Sequence, residues 1–483
     1  MSQTEPGVQL NSDELNQLSK SGLVQIILAQ QKLIEQLQKE IEKLKLSRNL
    51  DSQTSSKPPS TDLLKKSEKA KTTEDDKDKK RKPGGQPGHK GKTRKGFGRI
   101  DRIQILQPSI CSHCGQTELL IEPVKVDSQQ VAQLVDKPIE VVEYHRHHCR
   151  CGHCGEVTKA NWSPKTVPGQ DLGVKLQAFL GWLGNYGHLP YEKQQEMLWE
   201  LGQIEIGMGT IVATNQRVET AINPSVEQLS KWVKVEQPPI HVDETPWPVK
   251  GVKEWLWVFT NQLFCLFRAA DTRGRKELED QLGHEYGGVL SSDDLGVYNG
   301  YTVVAQQKCL AHLRRHFQRL IKTPGQYNKT IGQTFLKLID EAFRHYRIWQ
   351  NDKNRHGYQV WARQFKDKIK IATEEWKPKA GYEAGKLLRN LRQKAEQWWY
   401  FLEHPEIPPD NNLAERSLRL AITKRKVSGG SRSMERFKQT ANLLTVIQTC
   451  RRQERSVIDF FEKSLIAKVG HPNCLFPSLI PNF

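Results

Sequence analysis

The sequence has no hydrophobic run long enough to cross a membrane. No stretch of about eighteen consecutive apolar residues occurs, and the N-terminal segment MSQTEPGVQLNSDEL is polar and acidic, unlike a secretory signal peptide. Hydrophobic residues make up only 36% of the 483 positions, which is low for a globular chain. The missing apolar run and signal peptide predict a cytoplasmic protein without a membrane partner. The length predicts several domains, and the low hydrophobic fraction predicts that part of the chain is tail, linker or exposed helix.

Acidic residues are scarce relative to basic ones. The chain has 73 Lys and Arg against 55 Asp and Glu, a net charge of +18, which favours a polyanionic partner, with nucleic acid as the first candidate. About half of the excess lies within residues 48–100, a polar segment containing Pro and Gly that is predicted to be disordered. This basic linker is expected to neutralise phosphates or, alternatively, to be a solvated spacer. Its candidate DNA contacts are Lys80, Arg81, Lys82, Lys90, Lys92 and Arg94.

Before this linker, residues 12–47 carry apolar side chains at alternating spacings of three and four. That pattern is typical of a coiled coil of about three heptads, and it predicts a homo-oligomer. A single amphipathic helix packed on its own domain is the alternative. The seam positions are Leu23, Ile27, Gln30, Ile34, Leu37, Ile41 and Leu44.

Two Cys-x-x-Cys-Gly motifs, CSHCG and CGHCG, lie within residues 101–165. Without an export signal the thiols are expected to stay reduced, so their paired spacing indicates a metal rather than disulfides. Four thiolates are the ligand set of a closed structural Zn²⁺ site, and the strand-like residues between the motifs predict a zinc ribbon. A redox Cys-x-x-Cys is the alternative. The predicted ligands are Cys111, Cys114, Cys151 and Cys154, with Cys149, His113, His148 and His153 as competing candidates.

Residues 170–236 have a helical pattern with a glycine-containing turn between Gly202 and Gly207. Two helices around such a turn have the spacing of a helix-turn-helix, in which the second helix enters the major groove of DNA. Arg217 would lie on that second helix as a DNA contact. A helical hairpin that contacts no DNA is the alternative interpretation.

From residue 237 the pattern changes to three short β-rich runs, a helix and a fourth strand. This order begins an RNase H-like α/β fold, in which neighbouring strands would bring Asp243 and Asp293 together. Glu415, on a helix capped by the sequence DNN at 410–412, would supply a third carboxylate. Three converging carboxylates suit two Mg²⁺ or Mn²⁺ ions and phosphoryl transfer. Taken singly, the three acids could instead be a strand-end cap, a turn residue and a surface charge.

Several motifs occur in a fixed order along nearly the whole chain, and on them the chain resembles the insertion sequence 66 family of bacterial DDE transposases. The resemblance extends from about residue 15 to residue 465. The matching motifs are SSKPPSTD (55–62), GGQPGHKG (84–91), the two CxxCG motifs, HLPYEKQ (188–194), HVDET (241–245), CLAHLRRHF (309–317), DNNLAERSLR (410–419) and GGSRS (429–433).

The resemblance implies a DDE catalytic triad of Asp243, Asp293 and Glu415 on an RNase H-like core. That core would comprise residues 237–317 and 406–450, with an all-helical insertion over 318–405 and a C-terminal helix and tail over 451–483. It also implies metal-dependent cleavage at the ends of an insertion sequence and strand transfer into double-stranded target DNA. The protein would then work on the bacterial nucleoid, with accessory transposition proteins as further partners.

The chain departs from the family after the second Asp, where Asp294-Leu295 replaces the usual Gly-Tyr, so Asp294 is the alternative ligand. Cys309 and His312 are interpreted as orienting or packing groups. Two other functions stay open: a catalytically inactive repressor or architectural DNA-binding protein, and an RNase H-like nuclease without strand transfer. Arginines expected near phosphates, or alternatively on a charged helix face, are Arg314, Arg315, Arg416 and Arg419.

Overall fold

The computed structural model describes residues 19–31, 33–34, 100–105, 113–114, 117, 135, 138–154, 156–159, 169–469 and 474–481. The basic linker before residue 100, Cys111 and the seam positions beyond Ile34 lie outside these residues. Residues 20–31 are helical, and none of the described helices is long and apolar enough to cross a membrane. The described residues divide into two compact units. Residues 100–145 and Gln195–Glu205 belong to the smaller unit, and residues 19–34, Arg146–Gln194 and those from Ile206 onward belong to the larger one.

A five-stranded mixed sheet forms the centre of the larger unit, so the fold is mixed α/β. The strands of the chain are β1 His148–Arg150, β2 Val157–Lys159, β3 Ile240–Val249, β4 Val252–Thr260, β5 Cys265–Ala270, β6 Glu285–Ser292 and β7 Thr302–Lys308. The sheet has the order β5-β4-β3-β6-β7, with β3, β4 and β5 antiparallel and β3, β6 and β7 parallel. The predicted succession of three strands, a helix and a fourth strand is confirmed.

Strand β3 is buried on both faces, which explains its β-branched and aromatic composition. Ile240 and Val242 enter one hydrophobic cluster, whereas Trp247 enters another on the opposite face. Because successive side chains of a strand alternate between faces, Asp243 shares the face of Trp247 and Glu244 shares that of Val242. The cluster around Trp247 also contains Ala414 and Leu418, so Asp243 lies on the side of the sheet that a later helix covers.

The helices surround this sheet and form a separate bundle beside it. They are α1 Val174–Asn185, α2 Tyr191–Gly202, α3 Met208–Glu236, α4 Arg275–Leu282, α5 Leu310–Ile321, α6 Asn328–Asp352, α7 Arg355–Trp376, α8 Tyr382–Gln393, α9 Ala395–Trp398, α10 Asn412–Ser428, α11 Met434–Arg452 and α12 Val457–Lys468, with 3-10 turns at Gly296–Tyr298, Lys377–Lys379 and Tyr400–Leu402.

Helices α1, α3, α11 and α12 share one hydrophobic core with the sheet. Val218, Ile222 and Leu229 of α3 recur at helical spacing and are buried in the same cluster as Ile240 and Leu290 of the strands. Each such fully buried side chain contributes about 1.5–3 kcal/mol to stability. The predicted boundaries after residues 236 and 450 therefore fall inside a single core.

The residues predicted as a helical insertion, 318–405, are helical and have a hydrophobic core of their own. Helix α5, predicted as part of the sheet domain, joins this second core through Phe317, which stacks on Phe335 with ring centroids 4.8 Å apart. The bundle begins and ends at one place, because the Leu310 N–H donates to the Pro409 carbonyl at 2.9 Å. The Cys309 N–H donates to the Ser292 carbonyl at 2.8 Å, which fixes this point to the end of β6.

Candidate active site

Asp243 and Asp293 lie side by side at the same level of two neighbouring parallel strands. Ile240 pairs with Leu290 and His241 with Ser291, and each Asp follows two residues after the second pair. Burial, together with the charges of Glu244 and Asp293 and, more weakly, of Glu415, raises the pKa of Asp243 well above its usual range. Burial also raises the pKa of Asp293. The strands therefore hold two carboxylates in surroundings that disfavour their negative charge.

Glu415 approaches this pair from the first turn of α10. The start of α10 is fixed by Asn411, whose amide N–H donates to the Val242 carbonyl at 2.8 Å and whose amide oxygen accepts from Nδ1 of His241 at 3.1 Å. The predicted cap at 410–412 is thus only partly right. Asp410 accepts from the Asn412 N–H at 3.0 Å, but Asn411, the N-cap residue, uses its side chain to bind β3 instead of capping the helix.

Neither Asp243 nor Asp293 forms an ion pair within the described part of the chain. Asp243 Oδ1 accepts the N–H of Glu244 at 2.8 Å, and Asp293 Oδ1 accepts the N–H of Leu295 at 2.9 Å. These hydrogen bonds orient the carboxylates but do not neutralise them. Buried carboxylates normally have a cationic partner or bind a metal, so this pair has the character of a cation site.

The acid that follows each of these two residues does have cationic partners. Glu244 forms a salt bridge with Arg273 at 2.5 Å and accepts a hydrogen bond from Tyr298. Asp294 pairs with Lys308 at 3.0 Å and with Lys394 at 2.8 Å. Although burial opposes it, these two lysines lower the pKa of Asp294. In both pairs of adjacent acids, then, the second acid forms direct ion pairs and the first forms none among the described residues.

The predicted arginines are placed differently from one another. Arg315 Nη2 lies 3.3 Å from Glu415 Oε1, whereas Arg314 pairs with Asp340 of α6 at 2.8 Å and faces the bundle. Arg416 and Arg419 are exposed on α10 beside Glu415.

On α3, Arg217 donates to Gln177 and to Thr214, each at 2.9 Å, so its guanidinium has protein partners in this structure. Its role as a DNA contact stays a prediction. So do those of the six basic residues of the linker, which lie outside the described residues.

The second Cys-x-x-Cys motif forms the end of a small hairpin. β1 pairs antiparallel with β2, and the Cys151 N–H donates to the Glu156 carbonyl at 2.7 Å. Backbone N–H groups of Cys154 and His153 hydrogen bond to the Cys151 sulfur and lower the pKa of its thiol, as suits a metal ligand. Cys114 is exposed and Cys111 lies outside the described residues, so the four-cysteine Zn²⁺ site stays a prediction.

A thiol, an imidazole and a carboxylate meet next to the paired aspartates. Ligand atoms of Cys309, His312 and Glu415 all lie within 4.8 Å of one another. Burial raises the pKa of the Cys309 thiol to about 12 and lowers the pKa of His312 to about 4. Sequence reasoning treated Cys309 and His312 as a pair and Glu415 as part of the triad only.

Sequence reasoning also missed several residues that hold the carboxylates in place, and it treated Asn411 only as part of a helix cap. These residues are His241, Arg273, Lys308, Lys394 and Asn411. His241 and Asn411 belong to the motifs HVDET and DNNLAERSLR, so their place in those motifs was the available signal. Lys394 had none, because it reaches Asp294 from the helical bundle, 100 positions further along the chain.

Two families match the chain. The family described as "Transposase IS66 family" matches residues 171–439, which include all the carboxylates above, and a family of unknown function, DUF6444, matches residues 4–95. The first match covers more than half of the chain and spans the sheet, the helical bundle and α10.

Similar proteins come from Sinorhizobium fredii. The uncharacterized protein y4hP is 23% identical over 79% of this chain and 74% of its own length, and the uncharacterized protein y4qI is 22% identical over 83% and 79%. The uncharacterized protein y4jO is 29% identical over 34% of this chain and 48% of its own length. Their names give no activity, so the assignment depends on the family match: the chain belongs to the IS66 family of transposases.

Proposed function

We propose that this chain is a DDE-type transposase that cleaves DNA at the ends of an insertion sequence and joins those ends to target DNA. The observation that carries the proposal is the pair of partly buried carboxylates, Asp243 and Asp293, which form no ion pair among the described residues, with Glu415 on the adjoining helix. The sheet order β5-β4-β3-β6-β7, with three antiparallel strands followed by two parallel ones, supports an RNase H-like core.

The donor set fits divalent cations. Asp243, Asp293 and Glu415 offer carboxylate oxygens only, which Mg²⁺ and Mn²⁺ prefer. Burial raises the pKa of both aspartates, and neighbouring carboxylates raise that of Asp243 further, so a bound cation would stabilise their charged forms. Two bound Mg²⁺ or Mn²⁺ ions would stabilise the attacking and leaving oxygens of an in-line displacement. The unpaired state of Asp293 supports it over Asp294, whose two lysine partners occupy its carboxylate.

The remaining residues would orient the reactants. Asn411 and His241 keep α10, and with it Glu415, against the strand of Asp243. Arg416 and Arg419 are exposed beside Glu415, where they would bind DNA phosphates. In the first reaction, water attacks the phosphodiester at the element end and the 3′ oxygen leaves. In the second, the resulting 3′-OH attacks a phosphodiester of the target, forms a new bond to its phosphorus and displaces the 3′ oxygen of the target strand, which leaves as a 3′-OH.

The other parts of the chain would bind and organise the DNA complex. The basic linker and Arg217 would contact double-stranded DNA, the four cysteines would hold a structural Zn²⁺, and the N-terminal helix would join copies of the chain. The exposure of Val24, Ile27 and Leu28 on that helix supports self-association. Such a protein would act on the bacterial nucleoid, with accessory transposition proteins as further partners.

Cleavage and joining of labelled element ends in Mg²⁺ or Mn²⁺ tests the proposal. We expect Asp243→Asn and Glu415→Gln to lower cleavage about a thousandfold, equivalent to roughly 4 kcal/mol of transition-state stabilisation, while DNA binding persists. Glu435→Gln is a matched control, because Glu435 also lies in the first turn of a helix but is exposed on α11. Cleavage retained by Glu415→Gln would contradict the triad. Cleavage without joining would indicate a nuclease, and binding without cleavage an inactive DNA-binding protein.

A further inference from the structure

We propose that Cys309, His312 and Glu415 form a second cation site, which takes a borderline-soft divalent ion such as Zn²⁺ and shares Glu415 with the carboxylate centre. The three residues come from two helix starts. Cys309 is the N-cap of α5 and His312 lies in its first turn, whereas Glu415 lies in the first turn of α10. The site is distinct from the four-cysteine motif and from the two aspartates.

The ligand atoms already lie near the separations that one ion requires. Zinc bonds to sulfur, nitrogen and oxygen are about 2.0–2.3 Å long, so ligands of a tetrahedral ion lie about 3.3–3.8 Å apart. His312 Nδ1 and Glu415 Oε1 are 3.7 Å apart, and all three ligand atoms fall within 4.8 Å. A movement of about one ångström by Cys309 or Glu415 would close the set.

The hydrogen bonding of the thiol and the imidazole also suits a bound cation. His312 Nδ1 is buried and has no hydrogen-bond partner within the described residues. Cys309 Sγ accepts the backbone N–H of Asn411 at 3.2 Å, and such a donor stabilises a thiolate ligand. Because sulfur and imidazole are softer ligands than carboxylate, the set selects Zn²⁺ over Mg²⁺.

The site is open to solvent on the side of Glu415. Cys309 is 1% exposed, whereas the Glu415 side chain is 33% exposed, so an ion would enter from the side of Glu415. Three protein ligands with one open position is an arrangement that allows a reversible exchange of ions and water.

Arg315 competes with a cation for Glu415. Its Nη2 lies 3.3 Å from Glu415 Oε1, so an ion at the second site has to displace a guanidinium. Occupation of the site therefore alternates with the Arg315–Glu415 ion pair. Removing the positive charge of Arg315 therefore strengthens binding of the ion, whereas removing one of the ligands weakens it.

This competition has a regulatory consequence, which rests on the proposed function. Zn²⁺ held by Cys309 and His312 ties up the carboxylate of Glu415 and withdraws it from Mg²⁺ bound by Asp243 and Asp293. Zn²⁺ at the second site then inhibits Mg²⁺-dependent cleavage.

Co²⁺ titration of the full-length protein tests the site without DNA, because a thiolate–Co²⁺ bond gives a charge-transfer band in the near ultraviolet. We expect Cys309→Ser to lose one equivalent of thiolate-bound Co²⁺ relative to wild type, since serine keeps the hydrogen bond from Asn411 but not the soft ligand. Cys450→Ser is the matched control. Cys450 is also buried, and its burial raises the pKa of its thiol to about 12. Cys450 lies on α11, however, and not in the proposed site.

Two more variants make the test specific. His312→Gln should lose the same equivalent, and Arg315→Gln should bind Co²⁺ about threefold to tenfold more tightly, equivalent to roughly 0.7–1.4 kcal/mol. Urea unfolding of each variant identifies any that fails to fold. The Co²⁺ titration is then interpreted only for those of Cys309→Ser and His312→Gln that fold. Identical titrations of wild type, Cys309→Ser and His312→Gln would overturn the site, whatever the protein does to DNA.

Inhibition is measured separately. In cleavage assays at fixed Mg²⁺, added Zn²⁺ should inhibit wild type and Cys450→Ser at least fivefold more than Cys309→Ser, each compared with its own rate without Zn²⁺. Equal inhibition of all three would overturn the regulatory role while leaving the Co²⁺ result intact. Absence of any cleavage would contradict the proposed function instead.

Discussion

The amide oxygen of Asn411 lies 3.1 Å from Nδ1 of His241, a residue 170 positions earlier in the chain. Through this contact and the hydrogen bond to Val242, the beginning of α10 is fixed on the strand that carries Asp243. The uncharged residue Asn411 thus holds together Asp243 and Glu415, two catalytic candidates that lie far apart in the sequence.

Replacement of Asn411 by alanine should separate positioning from binding. The variant loses two buried hydrogen bonds and leaves a buried donor on His241 unpaired, at a cost of about 1–3 kcal/mol. We expect end cleavage to fall while DNA affinity, measured by anisotropy, changes little. Asn351→Ala, at an exposed position of α6, is the control. Unchanged cleavage by folded Asn411→Ala would show that the contact does not position Glu415.

His241 should make stability depend on pH. Burial lowers the pKa of His241 to about 4, from an ordinary value of 6.5. The unfolded chain therefore binds a proton at this residue before the folded protein does, and stability falls as pH drops from 6.5 towards 4, by on the order of 3 kcal/mol.

The measurement is the free energy of unfolding in urea across this range for wild type and His241→Gln. We expect a shallower dependence for His241→Gln. Parallel curves for wild type and His241→Gln would contradict the buried, neutral imidazole.

The two members of the Asp293-Asp294 doublet should respond oppositely to amide substitution. Asp293→Asn removes a partly buried charge that forms no ion pair and whose pKa burial raises, so the metal-free protein should lose no stability while cleavage falls about a thousandfold. Asp294→Asn leaves Lys308, which is 0% exposed, without its anionic partner and should cost about 3–5 kcal/mol. Urea unfolding and cleavage of the folded fraction distinguish the two. A catalytic loss confined to Asp294→Asn would assign the metal ligand to Asp294.

The N-terminal helix should control self-association. Ile27 is 54% exposed and Ile34 52% exposed, both at predicted seam positions, and a charged residue there disfavours a coiled coil. We expect the double substitution Ile27→Lys and Ile34→Lys to lower the mass measured by analytical ultracentrifugation without changing the unfolding of the core. Gln25→Lys, outside the seam, is the control. An unchanged mass would favour the alternative of a helix packed within its own chain.

The succession of strands and helix, and the positions of Asp243 and Asp293 directly after β-branched runs, could be predicted because local signals coincide there. β-branched runs, turns and strand ends are readable in one sequence, and both Asp243 and Asp293 follow such runs. The partners of Asp294 could not be predicted, because Lys308 and Lys394 pair with it only once the bundle has folded against the sheet. The helical pattern of α3 was readable, but its burial in the core of the sheet depends on packing partners far away in the chain.

Residues with two roles are harder still to predict. Glu415 was recognisable from its place after the DNN sequence, and Cys309 and His312 from their spacing. Glu415 contacts Cys309 and His312 only because the chain returns to the start of α5 after the bundle. No local pattern in α5 or α10 specifies that return.

The hydrogen bond between Leu310 and Pro409 has a consequence for how such a protein can change. The chain leaves the sheet and returns to it at one place, so the bundle is an insertion, although Lys394 and Trp398 also join it to the sheet. Segments can be gained or trimmed at its far side without moving the strand ends or α10. New contacts with DNA or with partner proteins can therefore arise on the bundle while the chemistry of the carboxylates stays untouched.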